Sequence, residues 1–237
     1  MVVMITGASR GIGFETAKYF ARLNNVEIYA LSRNNTGLGQ LASECAGLNK
    51  SSHVHPLVFD LDHFLEDPGS LLKRFPKGTA HIDILINNAG VLINKPFLET
   101  GLDEIGKLFQ INCFAPALLI RQLMPIMGKK GSTHVINISS MGGFQGSMKF
   151  PGLAYYSASK AALACLTECL SEEFKDTDVV FNCLALGSVQ TEMLEEAFPG
   201  YKAQLKPEEM AEFIGHFALT AHRHMRGKIV PVSLVNP

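Results

Sequence analysis

The sequence predicts an α/β fold: a doubly wound, parallel, seven-stranded sheet with helices on both faces. Three observations carry this. Short β-rich runs alternate with helix-patterned segments along all 237 residues, the order that βαβ units impose. Runs such as "IDILIN" and "THVINIS" are apolar almost throughout, as a sheet covered on both faces requires. The first run opens directly into a glycine-rich turn, "TGASRGIG". Strands are expected at 2–6, 26–31, 54–59, 82–87, 133–138, 178–184 and 228–233. Helices are expected at 11–23, 38–48, 63–75, 101–127, 153–175 and 207–221.

The composition suits one domain over residues 1–237, since no linker, repeat or low-complexity tract divides it. At 47% hydrophobic and 18% charged, the chain buries a substantial core and is not a disordered one. A formal net charge of −1 gives no electrostatic reason to expect nucleic acid or an anionic membrane as partner. The opening run "MVVMIT" has no basic region before it and no stretch is long and apolar enough to span a bilayer, so neither a signal peptide nor an anchor is expected and a cytoplasmic location is. The five cysteines are odd in number and include no CxxC pair. They are expected as buried small hydrophobes, Cys165 and Cys169 included. His222 and His224 are expected at a solvated helix end, and no metal site is expected.

In chain order, the first strand hands over to the first helix through Gly7, Gly11 and Gly13. These permit a tight turn and close backbone approach, and the helix N-terminus then faces a phosphate. A glycine loop alone is weak evidence for a nucleotide; between the first strand and first helix of a βαβ unit it is strong. The second strand begins at Glu27 and ends in "ALSRNN", so the ribose faces Ser32 and Arg33 rather than a carboxylate. A guanidinium there, with Arg10 in the loop as a second cation, matches a 2′-phosphate. NADP(H) is therefore expected, with NAD(H) the alternative. The fourth strand ends in "NNAG", Asn88, Ala89 and Gly90 included, whose Asn and Gly suit a tight turn beside a cofactor. The fifth strand ends in Ser139-Ser140 at the same, carboxyl edge, where α/β sheets bind ligands.

The next helix starts "YYSASKAALACL" and places Tyr156 one turn before Lys160. The pattern alone is weak, since roughly 0.3 such matches arise by chance in a chain of this composition. With "TGASRGIG", "NNAG", the Asn of "FQINCFAP" and "NISS" ahead of "YSASK", the chain closely resembles the short-chain dehydrogenase/reductase family over nearly its whole length. That resemblance implies a seven-stranded Rossmann-type sheet and NAD(P)-dependent oxidoreduction of a small carbonyl or alcohol substrate. It implies Ser140, Tyr156 and Lys160 as catalytic, with Asn112 supporting a water-linked proton relay. It further implies cofactor contacts from Ser9, Ile12, Asp60, Leu61, Gly187, Val189 and Thr191. A free tyrosine titrates near ~10, so the expectation is that Lys160 and the nicotinamide ring lower Tyr156 toward neutral pH.

Three departures from the family pattern stand out. Leu186 precedes Gly187 where a proline is usual, removing a rigid φ. The 16-residue step from Ser140 to Tyr156 is longer than expected, the excess falling in "MGGFQGSMKFPGLA", and the chain closes in "GKIVPVSLVNP" rather than a Gly-rich segment. Residues 188–206 are expected to cover the substrate, and the apolar surplus of 101–127 and 153–175 predicts a homodimer or homotetramer. The competing functions are an NAD-dependent alcohol dehydrogenase and, from another class, a nucleotide-binding regulatory or scaffold protein with little turnover.

Overall fold

Seven runs of β-branched and other apolar residues pair into one sheet: β1 (Val2–Thr6), β2 (Glu27–Ser32), β3 (His53–Val58), β4 (Ile84–Asn87), β5 (Thr133–Ser140), β6 (Val179–Leu186) and β7 (Ile229–Val232). The structure, a computed structural model, describes residues 1–64, 69, 71–75 and 79–234. Between the strands run α1 (Gly11–Ala21), α2 (Asn35–Ala46), α3 (Leu102–Phe109), α4 (Ala115–Leu123), α5 (Ala154–Glu173), α6 (Glu192–Ala197) and α7 (Pro207–Thr220). Every strand pairing is parallel, in the order β3-β2-β1-β4-β5-β6-β7. The chain winds outward from β1 to β3 and then, from β4, in the opposite direction. A crevice therefore opens past the carboxyl ends of β1 and β4, the switch point where such sheets bind ligands.

Side-chain alternation divides the core between two faces. Val3, Ile5, Ile28, Ile86 and Ile136 meet Phe14 and Phe20 of α1, Leu41 of α2 and Ile214 of α7. Met4, Tyr29, Leu85, Val135 and Phe181 point the other way, toward Leu119 and Leu123 of α4, with Leu170 of α5 packed beside them. β1 and β6 are buried at every position, as their apolar runs predict. Pro56 and Pro231 sit in the two edge strands, where a missing N–H disrupts least.

Several expectations need correction. The segment 101–127 is helical but not one regular helix: a π-turn at Gln110–Phe114 separates α3 from α4, and a 3-10 turn, Met124–Ile126, closes it. The expected helix at 63–75 overlaps residues 65–68 and 70, which lie outside the described residues. Its described parts form 3-10 turns at Leu61–His63 and Leu72–Arg74. Cys45, Cys113 and Cys183 are buried, but Cys165 and Cys169 are exposed. The inward stripe of α5 is occupied by Leu163, Ala164, Thr167 and Ser171, and the four-residue spacing sets both cysteines on the opposite stripe. His224 is exposed as expected, whereas His222 is half-buried with its ring 5.5 Å from that of His134.

Candidate active site

The glycine turn is built by backbone contacts. Gly7 takes φ +69°, a left-handed conformation open to glycine, and its N–H donates to the Leu31 carbonyl at 2.8 Å. A Cβ on Gly13 would lie 2.4 Å from the Gly7 carbonyl oxygen, so α1 can close against the turn only with glycine there. No side chain caps the N-terminus of α1 and its first turn holds no carboxylate. The orphan amides and positive dipole end are thus left for an anion, and these residues fit a dinucleotide pyrophosphate. The "NNAG" turn clamps the loop from the other side of the crevice. Asn88 Nδ2 donates to the carbonyls of Thr6 (3.0 Å) and Gly7 (3.3 Å), and the N–H groups of Asn88 and Ala89 donate to Thr6 Oγ1 at 3.1 and 3.0 Å. Ser32 Oγ donates to Ser9 Oγ at 2.8 Å, tying the turn to the end of β2.

The two arginines expected at the 2′-phosphate stand at this end, but each has a carboxylate partner. Arg10 Nη1 lies 2.9 Å from Glu196 Oε1 of α6, and Arg33 Nη1 lies 3.8 Å from Asp60 Oδ2. All four side chains are at least a third exposed, and exposed pairs are worth only about 0–1 kcal/mol. Either guanidinium can exchange its carboxylate for a phosphate at small cost. Glu196 carries no local signal of this role, because it lies 186 residues from Arg10.

At the other end of the crevice, β5 delivers Ser140 and the first turns of α5 deliver Tyr156 and Lys160. Lys160 is buried, and its Nζ donates to the Ile138 carbonyl at 2.9 Å. Burial lowers its pKa to about 8, against a smaller upward pull from Cys183, so the ammonium persists at neutral pH. Burial pushes the Tyr156 phenol up, outweighing the downward effect of the Ser140 hydroxyl bonded to it. The expected lowering is by Lys160 together with the nicotinamide ring and concerns the cofactor-bound protein; among the chain's own groups, Lys160 is not a cause of the shift. Its charge is turned toward the Ile138 carbonyl instead.

Asn112 sits fully buried in the π-turn, and its amide is engaged throughout. Val91 N donates to Oδ1 at 2.8 Å, while Nδ2 donates to the Val91 carbonyl (2.9 Å) and to Ser159 Oγ (3.0 Å). Ser159 Oγ in turn donates to the Tyr156 carbonyl at 2.7 Å. The side chain of Asn112 therefore braces residue 91 and α5. Ser159 was missed by sequence reasoning, although it is one of the small residues between Tyr156 and Lys160. Ser139, whose Oγ donates to the Lys160 carbonyl at 2.8 Å, was likewise missed as a brace.

One cavity of about 790 Å³ joins the two ends. Every expected site residue lines it except Gly13 and Asn112, which pack behind its wall. Thr191 lines it too, and its Oγ1 also accepts from Leu194 N at 3.3 Å as the cap of α6. Val189 is held by a parallel bridge to Leu205. Among the described residues no group of three or more His, Cys, Asp and Glu is placed to hold a metal ion, and no helix is long and apolar enough to cross a membrane.

Residues 1–202 match the family model for short chain dehydrogenases. The chain is 31% identical over 195 residues to dehydrogenase/reductase SDR family member 7B of Mus musculus, covering 81% of this chain and 58% of the mouse protein's length. Among solved structures it is similar to a short chain dehydrogenase of Escherichia coli CFT073 complexed with NADPH, with TM-score 0.85, 27% identity, and coverage of 97% and 95% of the two chains. It is also similar to 4-hydroxyisoleucine dehydrogenase complexed with NADH, with TM-score 0.82, 26% identity, and coverage of 98% and 96%.

Proposed function

This chain belongs to the short-chain dehydrogenase/reductase family, and on that premise we propose that it is an NADP-dependent oxidoreductase moving a hydride between NADPH and a carbonyl or alcohol carbon. The observation that carries the reading is the single cavity joining the glycine turn to Ser140, Tyr156 and Lys160. When bound, the dinucleotide supplies the hydride in reduction, and in its oxidised form a positive ring that favours the phenolate. The chain's part is positioning and proton transfer. The Ser140 hydroxyl holds the reacting oxygen. Tyr156 O–H donates its proton to that oxygen as the carbonyl carbon is reduced, and in oxidation the phenolate takes the proton back. The Lys160 ammonium holds the nicotinamide ribose, and Asn112 and Ser159 fix the start of α5 so that the phenol keeps its place.

The choice of NADP over NAD rests on Arg33 and Arg10, whose exposed carboxylate partners are weak competitors for a 2′-phosphate. Residues 188–206 cover the substrate, with Met193, Leu194 and Phe198 along the cavity. A homo-oligomer forms through the outer face of α5, where Ala154, Ala158 and Cys165 are exposed.

The test is nicotinamide absorbance during incubation of the purified protein with NADPH or NADH and a panel of ketones and aldehydes. Turnover of a carbonyl, faster with NADPH, is expected. Dinucleotide binding without turnover across the panel favours the regulatory reading instead, and equal use of NADH removes the NADP preference.

A further inference from the structure

Beyond Ser140 and Tyr156, the far half of the cavity is walled by Phe150, Leu153, Met193, Leu194, Phe198 and Tyr201. Glu192 also lines the cavity, but its carboxylate lies at the glycine turn, with Oε2 3.6 Å from where a Cβ of Gly11 would stand. The cations that do line the cavity are committed elsewhere. Arg10 and Arg33 stand at the glycine-turn end, and Lys160 is bonded to the Ile138 carbonyl. Lys149, next to Phe150 in the chain, donates to the carbonyls of Gly142 (2.9 Å) and Phe144 (2.6 Å) and to Ser147 Oγ (2.7 Å), so it holds its own loop. Lys202 lines a smaller neighbouring cavity with Ser188 and Tyr201. A carboxylate or phosphate entering the far half would lose its hydration and meet no cation among the described residues of that wall.

The rim points the same way. Lys95 N donates to the Gly152 carbonyl at 2.9 Å, and Asn94 Nδ2 to the Ala197 carbonyl at 3.0 Å. These bonds gather residues 94–98, the 148–152 loop and the end of α6 around one mouth. There Phe97 stacks on Tyr155 with centroids 4.9 Å apart, Leu98 is 93% exposed and Met148 is 58% exposed. Exposed apolar side chains thus stand on the rim beside the apolar wall, as at many binding sites.

We infer that the substrate is a neutral carbonyl compound or alcohol with an extended apolar body, a fused-ring or long alkyl skeleton, and not an acid, a phosphate ester or a sugar. This rests on the oxidoreductase reading and names the substrate class of the same site. The far wall sets specificity through apolar contact, which leaves an anion there without a charge partner among the described residues of that wall.

The experiment compares kcat/KM for a series of methyl ketones of increasing chain length and for keto acids of matched length, with NADPH. Activity should rise severalfold per added methylene until the mouth is reached. The long ketone should exceed its matched keto acid by at least ~100-fold. Phe198→Arg, which places a guanidinium in the wall, should narrow that ratio by about tenfold or more. A keto acid as good as its matched ketone, or no gain with length, overturns the inference while leaving the oxidoreductase reading intact. If no carbonyl turns over, the oxidoreductase reading fails. Calorimetry of the NADP-loaded protein with a long-chain alcohol and the matched fatty acid then still decides the inference, and tighter binding of the acid overturns it.

Discussion

The two ends of the sheet treat their polar groups in opposite ways. At the amino edge, His134 opens β5, bonded through Nδ1 to the Ala218 carbonyl and through Nε2 to Asn182 Nδ2, both at 3.0 Å. Asn182 also donates to the Met225 carbonyl and accepts from Lys228 N. Burial holds the His134 pKa at about 4, so the ring is neutral and its hydrogen bonds are committed. At the carboxyl edge, the same strand ends in Ser140 beside Tyr156, and both line an open cavity with hydroxyl capacity to offer a ligand. Among the described residues, Arg10 and Arg33 are held by exposed carboxylates. Polar groups with every bond satisfied inside the protein serve stability, and those with capacity left over serve binding and chemistry.

The largest expected effect that tests this contrast is on turnover. Tyr156→Phe should lower kcat by ~10²–10⁴, the usual contribution of a positioned proton donor, with the melting temperature and dinucleotide affinity nearly unchanged. His134→Ala should do the reverse: about 2–4 kcal/mol of stability lost in denaturant titration, with turnover per folded molecule preserved. A folded, active Tyr156→Phe protein breaks the comparison at one end, and a fully stable His134→Ala protein breaks it at the other.

The amino edge also has a pH signature. The folded His134 pKa of about 4 lies below the unfolded value of 6.5, so between these the unfolded chain binds the extra proton. The stability contribution is complete above pH 6.5 and is lost as pH falls toward about 4. Its size is on the order of 3 kcal/mol. Denaturation midpoints measured across that window should fall with acid, and the fall should flatten in His134→Ala. An identical acid slope in both proteins assigns the transition to other groups.

Smaller effects sharpen the carboxyl edge. Arg33→Asp should erase or reverse a preference for NADPH of about 1.5–3 kcal/mol, roughly tenfold to a hundredfold in affinity. Fluorescence titration of both cofactors reads this directly, and unchanged NADPH binding makes Arg33 a bystander. Glu196→Gln should release Arg10 and tighten NADPH by less than ~1 kcal/mol, leaving NADH unaltered. Equal gains for both cofactors would mean that Glu196 acts on the position of α6 and not on the phosphate.

The glycine turn, the seven strands and the ordered positions of Ser140, Tyr156 and Lys160 were legible in the sequence because each depends on local rules. Glycine alone tolerates the turn, buried parallel strands read as apolar runs, and a four-residue spacing fixes two side chains to one helix stripe. The exposure of Cys165 and Cys169 and the π-turn at Asn112 were not legible, since hydrophobicity does not say which helix stripe meets the sheet or where a helix widens. Only the tertiary structure brought Glu196 to Arg10 across 186 residues, turned the Lys160 ammonium toward the Ile138 carbonyl, and gathered residues 94–98, 148–152 and 197 around one mouth. Those arrangements follow from how distant segments share one buried volume, and burial and charge placement are properties of that volume, not of any stretch of chain.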